Sequence, residues 1–106
     1  MIVLLTDFGE NEYAGAMKAV IKSKCMDSEI VTLSNNIPKH SVREGAWVLM
    51  NNYKLFPKGT VFLCVVDPGV GSKRKAIAMT TKDYCFVGPD NGLMYPAAKD
   101  NGIEMK

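Results

Sequence analysis

The stretch Val61-Phe62-Leu63-Cys64-Val65-Val66-Asp67-Pro68-Gly69-Val70-Gly71-Ser72-Lys73-Arg74 decides the fold. Its uninterrupted apolar run, rich in β-branched residues, reads as a strand covered on both faces. The strand ends in a carboxylate, a glycine-rich loop follows, and the loop ends at an arginine. The start of the chain has the same layout, with Ile2-Val3-Leu4-Leu5-Thr6 running into Asp7-Phe8-Gly9. If both strands are parallel members of one sheet, Asp7 and Asp67 emerge at the same carboxyl edge. Open α/β sheets bind ligands there.

Outward from these strands the pattern alternates. A helix is expected near residues 11–24, with Tyr13, Ala16, Met17, Val20 and Ile21 at helical spacing and Lys18 and Lys22 on the other face. Ile30-Val31-Thr32-Leu33 reads as the next strand. Ser41-Val42-Arg43-Glu44 has the form of a capping box opening a second helix. Val42, Ala46, Leu49, Met50 and Tyr53 would line its inner face, and Trp47 and Met50 are expected in the core. Pro57 and Gly59 end this segment before the strand at 60–66. Strand and helix alternating in this way predict βαβ units and a parallel sheet.

After Arg74 the pattern changes. Ala76–Thr80 and Tyr84–Val87 read as strands joined by Thr81-Lys82-Asp83, an antiparallel hairpin. Gly88-Pro89-Asp90-Asn91-Gly92 is dense in turn formers. Leu93–Lys99 reads as a short helical turn, Asn101-Gly102 as a turn, and Ile103-Glu104-Met105 as the opening of another strand. The reading is an α/β domain with a mostly parallel sheet, an antiparallel hairpin and an incomplete end.

Composition narrows the function classes. The chain has 106 residues, enough for one domain, with a net charge of +2 and well-mixed signs. No basic stripe marks a nucleic-acid surface. Cys25, Cys64 and Cys85 show no metal-site spacing, and no metal is expected. No apolar stretch approaches the length of a membrane span, and no signal peptide is read, so a cytoplasmic protein is expected.

The candidate site begins with Asp7, whose carboxylate could accept two hydrogen bonds from a ribose diol. It could equally shape the strand-to-helix turn. Asp67 with Arg74 forms a charged anchor for a water or a cation, or merely a surface ion pair. Gly69 and Gly71 allow a close backbone approach. The loop lacks the Gly-Lys-Ser/Thr of a phosphate-binding loop. Asp90-Asn91-Gly92 is a rim candidate or only a turn. His40, the single histidine, is read as a solvated bystander, and no nucleophilic triad can be assembled around it.

The ordered set Thr6-Asp7-Phe8-Gly9, Tyr13-Ala14-Gly15-Ala16-Met17-Lys18, Phe56-Pro57-Lys58-Gly59-Thr60, Val66-Asp67-Pro68-Gly69-Val70-Gly71 and Val87-Gly88-Pro89-Asp90-Asn91-Gly92 strongly resembles the S-adenosyl-L-methionine hydroxide adenosyltransferases. These are adenosine-forming S-adenosyl-L-methionine hydrolases, relatives of the fluorinase and chlorinase. The resemblance covers essentially the whole chain. It implies a Rossmann-like three-layer sandwich and attack of water on the ribose 5′ carbon, releasing methionine. S-adenosyl-L-methionine is then the substrate, with no cofactor, nucleic acid or membrane involved.

By the same resemblance Asp7 matches a ribose-binding aspartate. Asp67 and Arg74 match two members of an Asp-Arg-His set associated with the water. That arrangement favours water over halide. Phe8, Tyr13, Gly69, Asp90 and Asn91 match motif positions on the substrate side. The histidine of the set and a second, smaller β-barrel domain have no counterpart in residues 1–106. The family's site forms between subunits of a trimer. A halogenase, a non-catalytic nucleoside-binding fragment and a purely structural piece remain the alternatives.

Overall fold

Two apolar runs govern the sheet. In the structure, a computed structural model that describes residues 1–67 and 76–105, β1 (Ile2–Thr6) and β3 (Val61–Val65) pair in parallel. Their register runs from Ile2 opposite Val61 to Thr6 opposite Val65. The other edge of β1 holds β2 (Ile30–Ser34), also parallel. The connections between these strands are α1 (Glu12–Lys24) and α2 (Val42–Asn52).

Among the described residues the sheet has six strands in the order β2-β1-β3-β5-β4-β6. β5 (Cys85–Pro89) lies parallel to β3. β4 (Ala76–Thr81) runs against both β5 and β6 (Ile103–Met105), so it is the one reversed strand. The expected hairpin is present, and the Thr81 N–H donates to the Tyr84 carbonyl at 2.8 Å across its turn. Gly88 and Pro89, expected in a loop, instead extend β5 and pair with Ile77 and Ala76. Pro89 is tolerated because it ends the strand.

The crossovers fix the layers. β1 to β2 steps one way along the sheet and β2 to β3 steps back across β1. Right-handed crossovers therefore put α1 and α2 on opposite faces. On the face shared by α2 and α3 (Tyr95–Asn101), the core takes Val3, Leu5, Phe62, Cys64, Val66, Met79 and Phe86. Phe62 and Phe86 stack at 5.0 Å, with Tyr53, Phe56 and Tyr84 edge-on around them. Burial pushes the Cys64 thiol and the Tyr84 phenol up from their ordinary pKa values. Leu4 and Ala14 are buried outside this cluster.

Of the face expected for α2, Leu49 and Tyr53 are buried and Val42 and Ala46 half-buried, but Met50 and the expected core residue Trp47 face out, and α1 departs further. In α2 the buried positions are Gly45 and Leu49, while Trp47 is 68% exposed and Met50 is also exposed. The cause is Gly45: a Cβ there would lie 2.7 Å from Leu93 Cδ1 and 3.5 Å from Val66 Cγ2. The helix comes closest along its glycine, and this turns Trp47 and Met50 outward. In α1 Ala14 plays the same part. Tyr13, Ala16 and Val20 are exposed, and Met17 and Ile21 are half-buried.

The expected cap of α2 forms in part, and α1 has a cap of its own. Asn11 caps α1 by accepting from the Tyr13 N–H at 2.9 Å. Ser41 Oγ accepts from the Glu44 N–H at 3.4 Å, but the Ser41 N–H goes to the Pro38 carbonyl. Only one half of the capping box is formed. Among the described residues no helix is long and apolar enough to cross a membrane.

Candidate functional site

The site grows from the switch point. The strands on either side of β1 are reached by crossovers of opposite sense, and open α/β sheets bind ligands beyond the carboxyl ends of the strands at such a point. Asp7 is the first residue after β1, and its N–H donates to the Val65 carbonyl at 3.3 Å. Asp67 is the second residue after β3. The two carboxylates leave adjacent parallel strands at one edge, and both are nearly buried, at 8% and 7% exposure. A buried carboxylate is costly unless it is hydrogen-bonded, so each signals a built environment.

The loop after β2 ties into the same edge. The Ile37 N–H donates to the Thr6 carbonyl at 3.3 Å, and the Gly9 N–H donates to the Asn35 carbonyl at 2.7 Å. Thr6 Oγ1 donates to Asn35 Oδ1 at 2.9 Å and accepts from the Phe8 N–H at 3.2 Å. The His40 N–H donates to Asp7 Oδ2 at 2.7 Å. Sequence reasoning missed this contact. A backbone donor from a loop 33 positions away leaves no trace in residue chemistry.

The remaining candidates separate. Phe8 packs edge-on against Tyr13 with centroids 6.5 Å apart, beside Asp7. Tyr13 is 64% exposed and presents its ring to solvent at that edge. Asp90 follows β5 and is exposed. Asn91 is committed to the protein: its amide donates to the Val66 carbonyl at 3.0 Å and its carbonyl accepts from the Leu93 N–H at 3.0 Å. It braces the end of β3 beside Asp67. Gly88 makes that approach possible, because a Cβ there would lie 2.4 Å from the Cys64 carbonyl oxygen.

Gly69, Gly71 and Arg74 lie outside the described residues. The residues flanking that segment do not. Asp67 ends the exit of β3, and Ala76, which opens β4, pairs with Pro89 at the carboxyl end of β5. The reversed strand therefore starts at the sheet edge where Asp7 and Asp67 emerge. A groove of about 890 Å³ lies elsewhere, along α2 at Arg43, Trp47 and Met50, and neither Asp7 nor Asp67 lines it. Among the described residues no three His, Cys, Asp or Glu side chains form a metal cluster.

This geometry matches a known pattern of chains. The model of the SAM hydroxide adenosyltransferase N-terminal domain matches residues 2–106. The chain belongs to that family. It is 43% identical over 110 residues to an (R)-S-adenosyl-L-methionine hydrolase of Methanocaldococcus jannaschii, covering 98% of this chain and 41% of that relative. A fluorinase of Nocardia brasiliensis is 25% identical over 126 residues, covering 96% of this chain and 42% of the fluorinase. The crystal structure of an uncharacterized conserved protein from Thermotoga maritima superposes with a TM-score of 0.93 at 44% identity, covering 98% of this chain and 41% of the other. This member of the SAM hydroxide adenosyltransferase N-terminal domain family thus spans about two-fifths of the length of the relatives it matches.

Proposed function

We propose that this chain supplies the ribose-binding and water-orienting wall of a site that hydrolyses S-adenosyl-L-methionine to adenosine and L-methionine. The observation that carries the reading is the emergence of two nearly buried carboxylates, Asp7 and Asp67, side by side at the switch point. Asp7 accepts hydrogen bonds from the ribose diol. The Phe8–Tyr13 pair offers an apolar face beside it. Asp67, with Arg74, holds a water in line with the bond to be broken, and Gly69 belongs to the substrate-binding set. Asp90 lies at the rim, and Asn91 acts by bracing β3.

The chemistry asks little of acids or cofactors. The water oxygen forms a bond to the 5′ carbon while the carbon–sulfur bond breaks. Its electron pair neutralises the sulfonium, methionine departs as a thioether, and the water's proton passes to solvent. Proximity and alignment supply most of the acceleration. In the proposed assembly a second, β-barrel domain of a neighbouring subunit in a trimer completes the pocket, and the histidine of the Asp-Arg-His set comes from outside residues 1–106. The hydrolase match at 43% identity, against 25% for the fluorinase, supports water rather than halide as the nucleophile.

Incubation with S-adenosyl-L-methionine in chloride buffer, followed by chromatography of the products, tests this reading. Adenosine and methionine are expected, with the rate cut about 100-fold or more in Asp67→Ala. A 5′-chloro nucleoside would sink the water assignment. Adenosine binding that Asp7→Ala abolishes, without turnover in any variant, would reduce the chain to a nucleoside-binding fragment.

A further inference from the structure

Among the described residues, His40 is the one non-glycine with a left-handed backbone, at φ 63°. The turn that holds it is closed by the Ser41 N–H donating to the Pro38 carbonyl at 2.9 Å. His40 therefore occupies the third position of a β-turn, where positive φ normally calls for glycine. A bulky residue there is strained, and such strain persists where the surroundings impose it and often marks a working site. The turn leaves the N–H of that third residue pointing outward. Here it meets Asp7 Oδ2 at 2.7 Å. Hydrogen bonds to an ionised acceptor are the strong ones, so this contact fixes the carboxylate's rotation. Among the described residues no other donor reaches the Asp7 carboxylate, which leaves Oδ1 unclaimed.

We infer that His40 is a positioning residue: its left-handed backbone delivers an N–H to Asp7 Oδ2 and so presents Oδ1 to one hydroxyl of a nucleoside's cis-diol. This rests on the nucleoside reading of the site and adds a specificity device to it. The imidazole is not the operative group; the backbone conformation is. Glycine at this position should do the same work without strain, and a β-branched residue, which resists positive φ, should not.

Titration calorimetry of the full chain with adenosine and with 3′-deoxyadenosine tests the inference. His40→Gly should bind adenosine within about twofold of the parent, and His40→Val should lose about tenfold or more, the loss of one charge-assisted hydrogen bond. The preference for adenosine over its 3′-deoxy analogue should also collapse in His40→Val, whereas a general loosening would weaken both alike. A parent chain that binds neither nucleoside would overturn the nucleoside reading and this inference with it. A parent that binds, with His40→Val keeping both affinity and preference, would overturn the inference alone, as would His40→Gly failing as badly as His40→Val. A second readout needs no ligand. By NMR the His40 amide proton should lie downfield in the parent, as a short hydrogen bond to a carboxylate dictates, and should move upfield in Asp7→Asn. An amide at its ordinary position in the parent would refute the contact.

Discussion

At the scale of single residues the site depends on groups that never touch a ligand. Asn91 bridges two backbone atoms, Val66 O and Leu93 N, across the gap between β3 and the loop after β5. Cutting it back to alanine strands both partners. Asn91→Ala should destabilise the chain by about 1–3 kcal/mol, read from urea unfolding midpoints at constant slope. If the midpoint stays put, the brace is ornamental and Asn91 returns to the list of ligand contacts. His40 teaches the complementary lesson. Its imidazole was read from the sequence as a solvated bystander, while its backbone N–H donates to Asp7 Oδ2. Residue type announces side-chain chemistry and is silent about a donor that every residue but proline carries.

At the scale of elements the strands were easier to read than the helices. β1 and β3 are buried or half-buried along their whole length, and such strands keep unbroken apolar runs that sequence displays directly. The hairpin was legible from its turn and the switch-point carboxylates from their position after the strands. The inner face of α2 was legible in part: Val42, Ala46, Leu49 and Tyr53 face in as expected, Trp47 and Met50 do not. Apolar periodicity weights a helix by its large side chains, but the closest contact is made by Gly45, which has none. The two descriptions agree on Leu49 and part at Trp47. Leu49→Ala should cost about 2–5 kcal/mol, as expected for a fully buried leucine. Trp47→Ala should stay within about 0.5 kcal/mol, as for an exposed side chain. Equal losses in thermal or urea unfolding would restore the core place read for Trp47 from sequence. Strand β6 was visible as an opening strand, but its neighbour was not, because only the reversal of β4 creates an edge for it.

At the scale of the whole molecule, distant segments are pinned on one face by a polar lock over an aromatic core. The Tyr53 hydroxyl, beneath α2, donates to the Asp100 carboxylate of α3, and Lys54 Nζ lies 3.2 Å from the same carboxylate. Burial, reinforced by Asp100, drives the Tyr53 phenol well above its ordinary pKa. The Tyr53 bond, then Lys54, holds Asp100 below the usual carboxylate range. A carboxylate depressed on folding contributes stability above its unfolded pKa, about 3.9, and loses it as pH falls through the folded value. Tyr53→Phe should therefore be less stable than the parent at pH 7, with the gap narrowing on acidification below about pH 4. Urea melts at several pH values check this, and a constant gap would assign the loss to packing instead.

The strand order carries a consequence for how the chain is made. Ile2–Thr6 leaves the ribosome ahead of every other strand described, yet it ends between β2 and β3. Its second flank waits for residues 61–65, which at translation rates of roughly 5–20 residues per second means a delay of about 3–12 s. For those seconds an apolar ribbon has an open side, and the sheet edge that holds Asp7 has no opposite bank. The strand made before every other strand described thus stays half-paired until β3 arrives, and a nascent chain paused before Val61 would offer chaperones the same strand that later anchors the site.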